Sequence, residues 1–315
     1  MRGFASLPRP EAADGSARRI GVEIEFGGLS EDRVARIVAD TLGGAVSHGD
    51  GPFWTVTDSA IGKVEVYLDT ALRKAHQTAL RDLALRLGRE VIPVELVTEP
   101  LDMGGMAHLQ TVVEALRDAG AMGSGAGLAY GFGIHFNIQI ASDDVADIRQ
   151  PLLAYALIED WLRDSMPIDD TRQVLPFTDP YPTSFVRDLI NAGRVGLSDL
   201  VALYLDHCPS RNFGLDMLPI FAQIAPGLVR GDLGDATSAR PTFHFRLPDC
   251  RIDEPEWGLP DEWARWVVVE RVAQDEALLA RLAAAWLDEH GVLTLSRSPW
   301  ATRCGAILQK AGISA

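Results

Sequence analysis

Four short segments of this chain alternate polar and apolar residues with a period of two, which is the side-chain periodicity of a half-buried β-strand. These segments lie at residues 20–26, 63–69, 134–140 and 241–247. In the first of them, Glu23 and Glu25 lie on one face while large apolar residues lie on the other. A chain with this pattern is expected to build a sheet that has one apolar face and one polar face.

The polar residues of these segments differ from those of an ordinary solvated sheet face. Such a face is usually rich in Lys, Thr and Ser, whereas here Lys63 stands alone at an edge. A fifth expected strand, 91–97, carries Glu95, and its continuation places Glu99 on the same face. The whole set comprises Glu23, Glu25, Glu65, Tyr67, Asp69, Glu95, Glu99, His135, Asn137, Gln139, His244 and Arg246.

This composition is typical of a surface that binds cations. Carboxylates and imidazoles bind divalent metal ions. Carboxylates crowded on one sheet face repel one another unless cations neutralise them. A plain solvent-facing surface explains any single strand, but the five strands together favour a metal cluster beneath a polyphosphate.

Helical periodicities and loop signals separate these strands. Helices are predicted at about 30–43, 70–88, 106–119, 143–165, 184–192, 198–207 and 260–289, with one more short helix within 292–315. Pro151 is expected to kink or break the fourth of these helices. A further strand at 53–58 forms a hairpin with 63–69, and loops are predicted at 120–133 and 166–184.

This order of elements predicts an α+β fold with a curved, mainly antiparallel sheet. Its polar face would bind ligands, and helices would pack on the other face. With 315 residues, the chain is long enough for one large domain. We expect a flexible leader over 1–17 and a single domain over 18–315, with a helical insertion at about 143–240 and C-terminal helices at 260–315.

The charge of the chain excludes one class of function. Its net charge of −15 has the wrong sign for a non-specific nucleic-acid binder. No segment approaches the roughly 18 apolar residues of a membrane span, and the polar N-terminus is unlike a secretory signal. Cys208, Cys250 and Cys304 are far apart and fit neither a disulfide framework nor a zinc pattern. A cytoplasmic location, without membrane or nucleic-acid partners, is therefore expected.

Several short motifs occur in the order found in one family. Residues 21–26 read GVEIEF, and Trp54 precedes an Asp58-Ser59 pair. Residues 95–100 read ELVTEP, 133–137 read GIHFN, and 244–246 read HFR. Over about residues 18–255, this set resembles the amidoligase branch of the glutamine synthetase and glutamate–cysteine ligase superfamily. The resemblance implies a glutamine synthetase-like catalytic domain.

The same resemblance implies a set of metal ligands. Glu23 and Glu25 would ligate two different Mg²⁺ ions, and Glu95 and Glu99 would complete the shell of one of them. His135 would bind the other ion or touch a phosphate oxygen. Glu65 is a further candidate ligand, and so is His244. Two or three Mg²⁺ ions are expected, with Mn²⁺ as an alternative.

The implied activity is ATP-dependent ligation of a carboxylate to an amine through an acyl-phosphate. Arg246 would stabilise the transferred phosphate, and Arg211, Arg240 and Arg251 are weaker candidates for binding the substrate carboxylate. ATP would lie against the side chains of His135, Asn137, Arg246 and Arg251. Asp58 could deprotonate the amine, or it could simply form a turn before Gly62. The acid could be glutamate-like or a peptide, the amine is open, and so is assembly into a homo-oligomer.

Two positions depart from the family pattern. Asn137 replaces the second His of the Gly-x-His-x-His motif, and His244 replaces the Glu of Glu-x-Arg. A histidine is a poorer Mg²⁺ ligand than a carboxylate. These departures favour one alternative, a catalytically weakened nucleotide-binding protein. Two others are a guanidino-type phosphotransferase built on the same sheet and a metallohydrolase that uses the same carboxylates without ATP.

Overall fold

The computed structural model describes residues 3–49, 52–68, 93–124, 132–165, 178–229, 231, 233, 237–291 and 296–314. Within these ranges the chain is an α+β protein with one open, eight-stranded antiparallel sheet and nine helices. The predicted fold class is confirmed. Among the same residues, none of the helices has the length and apolar character needed to cross a membrane.

The sheet has its first strand near the centre. In chain order the strands are β1 Ile20–Phe26, β2 Ala45–His48, β3 Phe53–Ser59, β4 Gly62–Leu68, β5 Val94–Thr98, β6 Ile134–Gln139, β7 Leu215–Asp216 and β8 Thr242–Phe245. They lie side by side in the order β2-β3-β4-β5-β1-β6-β8-β7. β1 therefore pairs with β5 on one side and with β6 on the other.

The register of these pairings creates the polar face. Glu23 lies opposite His135, and Glu25 lies opposite Glu95. Asn137 lies opposite His244 on the next strand. Because directly opposed residues point to the same side of a sheet, acidic, amide and imidazole side chains from four strands share one face, as the alternation predicted.

The other face packs against helices. In chain order the helices are α1 Glu31–Leu42, α2 Met103–Asp118, α3 Val145–Ser165, α4 Thr183–Asn191, α5 Leu197–His207, α6 Leu218–Ile224, α7 Leu259–Gln274, α8 Glu276–Glu289 and α9 Ser298–Lys310. Trp263 of α7 contacts Phe136 of β6, and Trp266 contacts Phe243 of β8. All four rings are buried, so these aromatic contacts join α7 to the sheet core.

In the segment before β1, where a flexible leader over 1–17 was expected, Phe4 and Ala5 pack against the core. Leu7 is buried, and Trp263 Nε1 donates a 2.7 Å hydrogen bond to the carbonyl of Ala5. Arg18 lies in the interior and pairs with Glu270 of α7 through hydrogen bonds of 2.7 and 2.8 Å. These contacts attach the segment to the helical layer.

Three predictions about helices differ from the structure or lie outside it. The helix predicted over 260–289 is two helices, because Asp275 leaves the helical conformation and its side chain caps α8 by accepting a hydrogen bond from Leu278 N. The helix around Pro151 is not broken but runs on to Ser165. Pro151 lies in its second turn and removes one backbone hydrogen bond there. The helix predicted at 70–88 lies outside the described residues.

The three thiols are expected to be unreactive in the folded protein. Cys208, Cys250 and Cys304 are buried. Burial raises the pKa of all three, that of Cys304 to about 12, and the thiolate is the reactive form. An aromatic disulfide reagent at pH 8 should therefore label almost no thiol in the native protein and three after unfolding in denaturant. Fast labelling of the native protein would contradict this packing.

Candidate metal centre

Glu23 connects two side chains of the neighbouring strand. Because Glu23 lies opposite His135, its Oε2 is 3.0 Å from His135 Nδ1. Its other oxygen, Oε1, accepts a 2.8 Å hydrogen bond from Asn137 Nδ2. The second ring nitrogen of His135 faces the next glutamate of β1, with Nε2 3.9 Å from Glu25 Oε1. His135 thus lies between two carboxylates that alternate on one strand.

His244 of β8 enters from the other side of β6. Its Nδ1 is 2.7 Å from the side-chain oxygen of Asn137. The amide nitrogen of Asn137 donates to Glu23, so the amide oxygen is the atom that faces His244. An amide oxygen can only accept, which assigns the ring proton of His244 to Nδ1 and leaves a lone pair on Nε2. Glu23, His135 and His244 each offer a ligand atom, and these atoms lie within 4.8 Å of one another. We call these three residues the His–Glu centre.

Arg240 is a cation that the fold brings against this centre. Its Nη2 lies 3.4 Å from Glu23 Oε1 and 3.3 Å from His244 Nδ1. Its Nε is buried and makes no hydrogen bond within the described ranges. Arg240 comes from the segment just before β8, where its backbone N–H donates to the carbonyl of Pro219. The sequence suggested it only as a weaker candidate for binding the substrate.

Burial and neighbouring charges determine the protonation of the candidate ligands in the His–Glu centre. Burial opposes ionisation of Glu23, but the hydrogen bond from His135, and after it the charges of His244, His135 and Arg240, hold its pKa well below the usual range. Burial lowers the pKa of His244 well below its usual value. Glu23 opposes this, whereas the charges of His135, Arg246 and Arg240 lower the pKa further. At neutral pH the centre therefore has a carboxylate and a neutral imidazole, the forms that bind metal ions.

Glu25 is held at the edge of this centre. Its side-chain Oε2 accepts a 2.9 Å hydrogen bond from Gly133 N, and it is buried with 9% exposure. On the neighbouring strand β5, Glu95 lies directly opposite it. Beside Asn137 the polar face has Gly21, where an added Cβ would lie 3.3 Å from the Asn137 side chain. A side chain at Gly21 would therefore crowd Asn137.

The other predicted acidic ligands lie farther along the sheet. Glu65 is on β4, which β5 separates from β1, and it binds Lys63 Nζ at 2.8 Å. Glu99 follows β5 and accepts a hydrogen bond from Lys63 N at 3.1 Å. Both carboxylates thus contact Lys63 of β4, Glu65 through the ammonium group and Glu99 through the backbone N–H. Of the predicted acidic ligands, Glu23 and Glu25 are the two that contact His135.

Two predicted arginines meet at the opposite edge of the sheet. Arg246 donates to the backbone carbonyl of Arg211, and Arg211 Nε lies 3.4 Å from Asp216 Oδ2. Asp216 is fully buried and lies opposite His244. Burial raises its pKa, although the Leu218 N–H and both arginines oppose the rise. The sequence did not single out Asp216, because its strand has only two residues and shows no alternation.

The remaining predicted residues lie in two other surroundings. Asp58 is exposed near the end of β3, where the pairing with β4 shifts register, and its positive φ of 57° is a left-handed conformation that Asp tolerates in turns and bulges. Arg251 pairs with Glu254 at 3.0 Å and with the buried Glu262 of α7 at 3.6 Å. The structure therefore joins Arg251 to the helical layer.

The fold and its site define an α+β protein with a candidate divalent-metal centre on the polar face of its sheet. A family model described as "Putative amidoligase enzyme" matches residues 16–268, which is most of the chain. The chain belongs to this amidoligase family, and the family's description indicates ligase activity. No protein among those with curated descriptions matches the chain.

Proposed function

We propose that this protein is an ATP-dependent ligase that joins a carboxylate to an amine through an acyl-phosphate. The observation that carries the proposal is the His–Glu centre with Glu25 at its edge. Membership of the amidoligase family supports the same reaction class. A carboxylate cannot transfer its acyl group directly, since oxide would have to leave. Phosphorylation by ATP provides phosphate as the leaving group.

The donor atoms suit divalent ions. Glu23, His135 and His244 would hold one ion, and Glu25, with Glu95 opposite it, would supply carboxylate oxygens to another. When bound, such ions neutralise phosphate oxygens and so stabilise a transferring phosphoryl group. Glu23 is ionised and His244 neutral near pH 7, so neither residue must lose a proton before it binds an ion.

The arginines provide the protein's own positive charge. Arg246 and Arg211 lie together beside His244, at the edge where β8 and β7 pair. Guanidinium groups bind phosphate and carboxylate oxygens through paired N–H donors. At this edge the two arginines would bind and orient the two anions that must react, the substrate carboxylate and the γ-phosphate of ATP. Their attraction to fixed cations would hold them in line.

The test is a product screen with purified protein, ATP and divalent metal. Glutamate-like acids and peptides are paired with ammonia, amino acids or polyamines, and ADP and amide are measured together. The expected result is ADP release that requires both substrates and equals the amide formed. A phosphorylated guanidine would instead identify a phosphotransferase. ATP binding without ADP release for any pair would identify a non-catalytic protein, and substrate cleavage without ATP a metallohydrolase.

A further inference from the structure

We propose that the His–Glu centre selects a first-row transition-metal ion, of the class of Mn²⁺ or Fe²⁺, over Mg²⁺. The proposal rests on the metal centre of the proposed function but not on the ligase reaction. Its basis is the donor set, which offers two imidazoles and one carboxylate within 4.8 Å. Mg²⁺ favours oxygen ligands, whereas imidazole suits transition metals.

The hydrogen bonds around His244 prepare it as a ligand. The Asn137 oxygen accepts from Nδ1–H at 2.7 Å, which leaves the lone pair on Nε2. Asn137 cannot rotate freely, since its nitrogen donates to Glu23 at 2.8 Å. Metal-binding histidines generally donate their second ring N–H to such an outer partner, which fixes the tautomer and the ring orientation. Asn137 therefore acts as an orienting partner for His244.

The spacing at Glu23 and His135 also suits a common ion. Their contact atoms are 3.0 Å apart. Two adjacent ligands that each lie about 2.1 Å from one ion are separated by about 3 Å. Binding an ion through Nδ1, which donates to Glu23 in this structure, would shift the His135 ring proton to Nε2, which faces Glu25 Oε1 at 3.9 Å. Both ring nitrogens of His135 thus have a carboxylate within reach.

The charge of the centre disfavours Mg²⁺. It contains one carboxylate, and the Arg240 guanidinium lies 3.4 Å from that carboxylate. Mg²⁺ depends on several negative oxygens and releases its water reluctantly. A transition-metal ion gains affinity from the imidazole nitrogens as well, so it depends less on negative charge. The side chains around the centre therefore favour a transition-metal ion over Mg²⁺.

The experiment uses the full chain with Mn²⁺ as the probe, without ATP or substrates. Binding is followed by electron paramagnetic resonance, with Mg²⁺ as competitor, and pulsed measurements report nitrogen atoms bonded to Mn²⁺. We expect coupling to two nitrogens and displacement only by an excess of Mg²⁺ on the order of a hundredfold. His244→Gln should reduce the coupling to one nitrogen. His244→Glu should shift preference at least about tenfold toward Mg²⁺.

The matched control is His108→Gln, at an exposed position of α2 outside the centre, which should leave both readings unchanged. No Mn²⁺ binding, binding without nitrogen coupling, or equal affinity for Mg²⁺ would overturn the proposal. So would an unchanged preference in a folded His244→Glu protein. If both His244 variants fail to fold, the nitrogen coupling of the wild type still decides. Nitrogen-coordinated Mn²⁺ in a protein that never releases ADP would contradict the ligase proposal alone.

Discussion

Replacing Glu25 by alanine is expected to abolish ATP turnover while the protein stays folded. Glu25 is buried on the polar face, 3.9 Å from His135 Nε2, where its carboxylate can reach a bound ion. Without it we expect the rate of ADP release to fall by about a hundredfold or more, because phosphoryl transfer depends on correctly held cations. The fold should survive, since the main loss is one hydrogen bond from Gly133 N, worth about 1–3 kcal/mol.

Steady-state ADP release and thermal unfolding measured on the same preparation separate these two effects. Glu276→Ala is the control, because Glu276 is an exposed acidic residue in the first turn of α8 and lies beyond the segment matched by the family. Its activity should equal that of the wild type. Wild-type turnover in a folded Glu25→Ala protein would remove Glu25 from the site.

Replacing Glu270 by alanine is expected to destabilise the protein by about 3–5 kcal/mol, because it leaves a buried guanidinium without its counter-ion. Arg18 and Glu270 have side chains that are only 2% and 4% exposed, and both ends of the pair are joined by hydrogen bonds. Trp266 Nε1 also donates to Glu270 and would lose its acceptor. Urea denaturation gives the change in the free energy of unfolding.

A surface pair provides the contrast. Arg19 and Asp102 lie 3.2 Å apart with about half of each side chain exposed, so Arg19→Ala should cost less than about 1 kcal/mol. The double variant Arg18→Met with Glu270→Leu should recover much of the loss, because it leaves no unpaired charge in the interior. A cost of less than about 1 kcal/mol for Glu270→Ala would show that the pair is not buried in solution.

The sheet was predictable because its strands bury one face. Polar and apolar residues alternate in β1, β4, β6 and β8 because one face of each strand is buried. The same alternation predicted that Glu23, Glu25 and His135 lie on one face. The sequence of β2 shows no such alternation. All four of its residues are exposed at the sheet edge, so it has no apolar face, and backbone pairing with β3 holds it. An edge strand that buries no side chain cannot be predicted from the periodicity of apolar residues.

The contacts within the site were less predictable than its face. Arg240 reaches Glu23 across 217 residues of sequence, which no local pattern can show. The break between α7 and α8 did have a local signal, since Asp275 is a favoured N-cap residue followed by an acidic first turn. It was missed because the apolar period continues through the break. Local rules thus identified the candidate ligands, but they did not show that Arg240 lies against Glu23 or that Asn137 bonds to both Glu23 and His244.

The packing around α7 implies that the region shared by the family is smaller than the unit that folds. The family match ends at residue 268, inside α7 and just before Glu270, the partner of buried Arg18. Trp300 of α9 is also buried, with Nε1 donating to the carbonyl of Leu157 in α3. A fragment cut at the limits of the match would keep every candidate ligand and lose part of the layer beneath them. The limits of the family match in this chain therefore do not coincide with the limits of its packed interior.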